Sequence, residues 1–102
     1  MNTNAKHTPG PWENHKWNCK EHQISGKGGT IALVSHSHSL VSEAEADANA
    51  RLIAAAPALL IELKNTVAAI EKWGKEHPES GGWIGVIHGA LKAIAQAEGG
   101  AQ

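Results

Sequence analysis

Between Trp12 and Ser35 the apolar positions come in short stretches broken by glycine-rich turns, whereas from Glu43 onward they return every three or four residues. The first rhythm is that of strands, whose side chains alternate between two faces, and the second is that of helices. Three strands are expected: Trp12 to Asn18, a weaker segment around Glu21 to Ser25, and Thr30 to Ser35. Ser25-Gly26-Lys27-Gly28-Gly29 has the composition of a hairpin turn. Ile31-Ala32-Leu33-Val34 is a short apolar run with β-branched members, and it reads as the central, best-buried strand. Ahead of the strands, residues 1–8 are polar and expected to be loose. Thr8-Pro9-Gly10-Pro11 predicts a rigid turn that delivers Trp12 to the core as an anchor.

The helical part opens on Ser42-Glu43-Ala44-Glu45, a capping-box pattern with Ser42 at the N-cap and Glu45 three residues on. Ala46, Ala50, Ile53, Leu60, Leu63, Val67 and Ile70 then share one face. Pro57 interrupts them, so the text predicts either two helices, Glu43–Ala55 and Pro57–Lys75, or one kinked helix. His77-Pro78-Glu79-Ser80-Gly81-Gly82 is a break. A last helix is expected from Trp83 to Ala97, with Ile84, Ile87, Leu91 and Ile94 as its stripe. Strands followed by helices indicate an α+β fold. The expected architecture is a three-stranded antiparallel β-meander (residues 12–35) packed on two to three Ala-rich helices (43–97), with a C-terminal helical hairpin. All of residues 1–102 are expected to form one domain.

Thr8-Pro9-Gly10-Pro11-Trp12, followed by the helix Glu45-Ala46-Asp47-Ala48-Asn49-Ala50-Arg51-Leu52-Ile53-Ala54-Ala55-Ala56-Pro57 and then Leu59-Leu60, resembles a group of small phage and prophage proteins. That group pairs a TPGPW-like start with an ANARLIAAAP-x-LL helix, and the resemblance covers residues 8–63. It implies a phage origin and a shared architecture. It implies no activity.

Composition sharpens this picture. There is no Phe or Tyr, so four Trp carry all the aromatic area, and much of the 41% hydrophobic content is Ala. Such a chain buries little surface per residue, and association with further copies is expected to complete its core. Net charge is −1, with residues 1–40 at +2 and the remainder at −3. Neither half carries the basic stripe of a duplex nucleic-acid binder. Cys19 is the sole cysteine, which rules out an intramolecular disulfide and fits a reducing compartment. With neither a signal-peptide pattern nor a run of ~20 apolar residues, the expected location is the cytoplasm, away from membranes.

Candidate chemistry is sparse. Cys19, His22, His36 and His38 offer two ligand pairs for a zinc site, but their spacing fits loosely, and solvated loop histidines are the favoured reading. His88, beside Ile84 and Leu91, reads as a core or interface histidine. Ser35, Ser37 and Ser39 alternate with histidines but lack a nucleophile-elbow pattern. No catalytic set and no cofactor are expected.

The best ligand-binding set combines several weak signals. Lys27 and Gly28 lie in the glycine-rich turn, where amide N–H groups are open to an anion. Arg51 offers a fork for phosphate or carboxylate, with Asn49 nearby. Trp12 and Trp17 offer stacking surfaces, and His36 and His38 complete the set. The expected function is therefore that of a non-enzymatic phage accessory protein. It would counter a host defence by sequestering a small anionic, nucleotide-derived signal. The alternatives are a protein-binding inhibitor or adaptor acting through the helical face, and a zinc- or His-dependent small enzyme.

Overall fold

Three antiparallel strands in the order β1-β2-β3 are followed by two α-helices in a computed structural model that describes residues 6–18, 21–35 and 41–99. The strands are β1 (Glu13–Asn18), β2 (Glu21–Gly26) and β3 (Gly29–Ser35). The helices are α1 (Glu43–Glu76) and α2 (Trp83–Ala97), separated by a 3-10 turn at Pro78–Ser80. The fold is α+β, with a meander at one end of the sequence and a helical hairpin at the other. By its contacts the chain divides into two compact units, Met1–Ala58 and Leu59–Gln102, and α1 runs through both.

In the first unit, Gly26 pairs with Gly29 around a two-residue loop, Lys27-Gly28. Gly29 takes a φ of +127°, a conformation that side chains disfavour and glycine permits. Because the chain forms a meander, the middle strand in sequence is also the middle strand in space. The expectation that Ile31–Val34 forms the central strand is therefore corrected: β3 lies at an edge, and Leu33 is 63% exposed. Ile24 of β2 is fully buried and His22 is 4% exposed. Ala46 and Ala50, the small residues on the inner face of α1, are buried with them. Burying a side chain such as Ile24 contributes about 1.5–3 kcal/mol.

The proline turn closes this core from the side. A Cβ at Gly10 would lie 2.7 Å from Pro57 Cβ, so the turn rests directly on the helix at its proline. A Cβ at Gly26 would meet Ile31, Thr8 and Trp12. Trp12, half-buried, donates its indole N–H to Thr8 O at 3.0 Å, which is the expected anchor. Pro57 does not split the helix. α1 is continuous through it, and Pro57 lies on the buried side with Ala46 and Ala50.

The capping box is formed. Glu45 N–H donates to Ser42 Oγ at 3.1 Å, and the Ser42 N–H faces Glu45 Oε1 at 3.5 Å. Over an 18-residue window α1 has a mean hydropathy of 1.5 and is only 11% buried, long and apolar enough to cross a bilayer by composition alone. Pro57, Glu62 and Lys64 interrupt the apolar residues of its middle.

In the second unit, α2 returns along the latter part of α1. Val67 and Ile87 are buried to 4% and 5% exposure, and Lys64 Nζ bonds Glu98 Oε2 at 2.7 Å. The Trp83 indole occupies the space beside buried Gly74, where any Cβ would collide with its ring. The expected α2 stripe is half right. Ile87 and Ile94 turn inward, together with Trp83 and Ala90, but Ile84 and Leu91 are 61% and 44% exposed. His88 is exposed as well, so within one chain it is no core histidine.

Candidate functional site

Strand parity divides the side chains of the first unit into two sets. On the helix-facing side, Asn14 and Lys16 of β1 and His22 of β2 meet the first turns of α1. His22 Nδ1 faces Asn14 Oδ1 at 2.9 Å, and Nε2 faces Asp47 Oδ1 at 2.6 Å. Lys16 Nζ reaches Glu43 Oε2 at 2.8 Å and both oxygens of Asp47, at 3.2 and 3.3 Å. The hydrogen bond from His22, reinforced by Lys16, lowers the Asp47 pKa against the opposing effect of burial. The bonds to Glu43 and then Asp47 raise the Lys16 pKa.

This cluster is a latch between sheet and helix, not a reaction centre. Both ring nitrogens of the buried His22 are engaged, so neither is free to shuttle a proton or ligate a metal. The favoured reading of His22 as a solvated loop histidine is thereby corrected. Sequence spacing alone does not reveal the latch. Its signal is the i, i+4 repeat of Glu43 and Asp47 opposite the alternate positions Asn14 and Lys16.

The other side of the sheet carries Glu13, His15 and Trp17 of β1, Gln23 of β2 and Leu33 of β3. Trp17 is 62% exposed, yet its indole is fixed: Nε1 donates to Gln23 Oε1 at 2.8 Å, and Gln23 Nε2 in turn donates to Thr30 Oγ1. Register pairs His15 with Gln23 and Gln23 with Leu33, so the exposed Leu33 shares this face from the opposite edge strand, with Gln23 between it and β1. Trp17 belongs to this surface and not to the core.

At the opposite end of β1, Gly10, Pro11, Glu13, Ser25, Gly26 and Lys27 line an open depression of about 310 Å³. Lys27 there shares its neighbourhood with the Glu13 carboxylate. Glu13 and Trp17 are four residues apart, roughly 13 Å along a strand, so the depression and the indole are separate features.

The family model described as Salmonella phage P22 protein Y8K6 matches residues 1–101. The chain belongs to that family. It is thus a phage protein, as the resemblance implies, and the match extends through the helix after residue 80 that lay beyond the resemblance. No curated protein and no solved structure matches the chain.

The structure of this phage protein scatters most of the expected ligand set. Trp12 packs beside Gly26 at the proline turn, next to the depression that Lys27 lines, and Gly28 is exposed in the hairpin loop. Trp17 stands on the outer sheet face. Asn49 and Arg51 are exposed on α1, and Arg51 forms no ion pair with the described residues. His36 and His38 lie outside the described residues, as does Cys19, so of the alternative zinc set only His22 is described. Among the described residues no three His, Cys, Asp or Glu side chains gather as a metal site.

Proposed function

We propose that this phage protein is a non-enzymatic accessory protein that acts in the infected host cell by binding a host protein, with the outer face of its sheet as the contact surface. The observation that carries this reading is Trp17. A large aromatic side chain, mostly exposed but held in one orientation by the Gln23–Thr30 relay, loses little freedom on contact. Exposed, well-positioned tryptophans are typical anchors of protein interfaces, and Leu33 adds an exposed aliphatic side chain to the same face. Binding of this kind suits a factor that blunts a host defence, because obstruction requires no chemistry.

The test is recovery of partners from infected cells with the tagged wild-type chain and with the Trp17→Ala and Leu33→Ser variants. A host protein held by the wild type, lost by both variants and kept by Lys27→Ala supports the reading. Equal recovery by all of them defeats it.

One observation favours the sequestration of a nucleotide-derived signal as the second reading. The depression beside Lys27 is near the lower size limit of ligand pockets, which begins at about 300 Å³, and a lysine stands in its wall. Calorimetry with cyclic dinucleotides and ADP-ribose derivatives separates the two. Heat of binding that disappears in Lys27→Ala and survives in Trp17→Ala would replace protein docking with sequestration.

A further inference from the structure

α1 carries a second line of mostly apolar side chains beside the one that it buries. Leu52, Leu59, Thr66 and Trp73 recur every seven residues, and Ala56, Leu63 and Ile70 fall four after the first three. At 100° per residue these positions stay within an arc of about 100° over three heptads, roughly 33 Å of helix. Pro57 and Val67, buried within the chain, lie outside that arc. Leu52, Leu59 and Trp73 are 63%, 53% and 47% exposed, and Ala56 and Thr66 are exposed with them. Alternating steps of four and three, sustained over about three heptads, are the spacing at which one helix meets another along its length. The repeat itself therefore names the kind of element that covers this line: a second helix.

We infer that this line is a seam through which α1 pairs with α1 of a second copy, antiparallel about a two-fold axis between Leu63 and Thr66. A second copy is selected because the line matches itself when reversed. In one register Leu63 meets the partner's Thr66 and Leu59 meets the partner's Ile70. In the same register Ala56, the smallest member, meets the partner's Trp73, the largest. Two-fold symmetry repeats each of these pairs, so one match of large to small is made twice. A parallel pair would instead stack Trp73 on its equivalent and leave Ala56 facing Ala56, one layer overfilled and one hollow. The flank agrees with the reversed arrangement. Glu62 and Glu76 border the seam, and in this register they oppose the partner's Ala69 and the partner's Ala55, so no carboxylate faces another. Pairing also covers leucine and tryptophan surface that an alanine-rich chain leaves outside its own core.

Light scattering and sedimentation of the full chain at micromolar and submillimolar concentrations test the pairing. The wild type should have the mass of two chains. Leu59→Glu should have the mass of one, with helical circular dichroism retained because the side chain is exposed in the folded chain. Ile61→Glu, about 180° around the helix from Leu52, should leave the mass at two. Trp17→Ala should do the same, so that pairing and host binding by the sheet fail separately. The register has its own test. Ala56→Trp sets indole against indole and should weaken association about tenfold or more. Adding Trp73→Ala exchanges the large and small members of that layer and should restore most of the loss. A wild-type monomer at the highest concentration overturns the inference, as does a dimer that survives Leu59→Glu or an exchange that restores nothing. A wild-type monomer that floats with phosphatidylglycerol vesicles, or that loses a host partner only in Leu59→Glu, assigns the seam to a membrane or to another protein. Either result also overturns it.

Discussion

The two units of this chain solve the same shortage of large side chains in opposite ways. Up to Ala58, the chain compensates with polar geometry: one fully buried isoleucine, two buried alanines, and a latch in which His22, Asp47, Lys16, Asn14 and Glu43 tie strands to helix. Beyond it, the hairpin relies on a shape match, the Trp83 indole filling the notch at Gly74, and leaves large apolar side chains outside. The first unit ties its inner polar groups to one another and leaves Trp17, Leu33 and Leu52 exposed. The second presents surface that another body can cover. In an alanine-rich chain, hydrogen bonds and a shape match can therefore take over part of the role of large buried side chains.

The largest effect that would break this contrast lies at Ile24. Ile24→Ala should cost about 2–5 kcal/mol, the usual range for truncating a buried isoleucine. In hydrogen exchange the loss of protection should be concentrated in β1–β3 and in α1 up to Pro57. Leu33→Ala, on the exposed edge, should be nearly silent. Equal effects from the two would show that the core is not where the burial places it.

Gly74→Val comes next. The added side chain must expel Trp83, and overpacking of this kind costs about 1–3 kcal/mol. The penalty should shrink when Trp83→Leu is introduced as well, because the two residues share one space. Additive melting shifts in the double variant would mean that the notch does not organise the hairpin.

The sequence exposes the elements well and their neighbours poorly. Periodicity, glycine punctuation and the Ser42–Glu45 box mark strands, turn and helix start because each is a local property of the chain. The central strand is missed because apolar run length suggests β3, whereas connectivity gives the centre to β2, whose inward residues are one isoleucine and one histidine. A polar residue with every partner supplied from distant elements has no local signature. The α2 stripe is misread for a related reason. Both Ile84–Leu91 and Trp83–Ala90 satisfy helical spacing, and only the Gly74 notch decides which one turns inward. The scattered ligand set shows the same limit, since Lys27, Arg51 and Trp17 look combinable until the fold separates them.

A smaller effect is expected at the helix start. Ser42→Ala removes the acceptor for the Glu45 N–H and should cost about 1 kcal/mol. Ser42→Asp should restore most of it, because a short carboxylate also caps and favours the positive end of the helix. Thermal melts of the three proteins at neutral pH decide this. A silent Ser42→Ala would indicate that the latch alone fixes the start of α1.

The smallest change at neutral pH is expected at Asp47, whose ion pair with Lys16 is solvent-screened, yet this residue should control the response to acid. Its carboxyl titrates below its ordinary value in the folded chain, because His22 first and then Lys16 bond to the ionised form. A carboxyl whose folded pKa is depressed contributes stability that is complete above its unfolded value, near 3.8, and is lost as pH falls through the lower folded value. The melting temperature should therefore fall steeply from about pH 4 downward. Asp47→Asn, which retains a polar partner for His22, should flatten that acid limb. The Lys16 effect runs the other way: its raised pKa adds stability below 10.5 that fades above it. Added salt should weaken the Lys16 contribution more than that of the buried His22 bond. If Asp47→Asn leaves the acid limb unchanged, the latch does not stabilise the first unit, and the contrast between a polar-latched sheet unit and a shape-matched hairpin loses its physical basis.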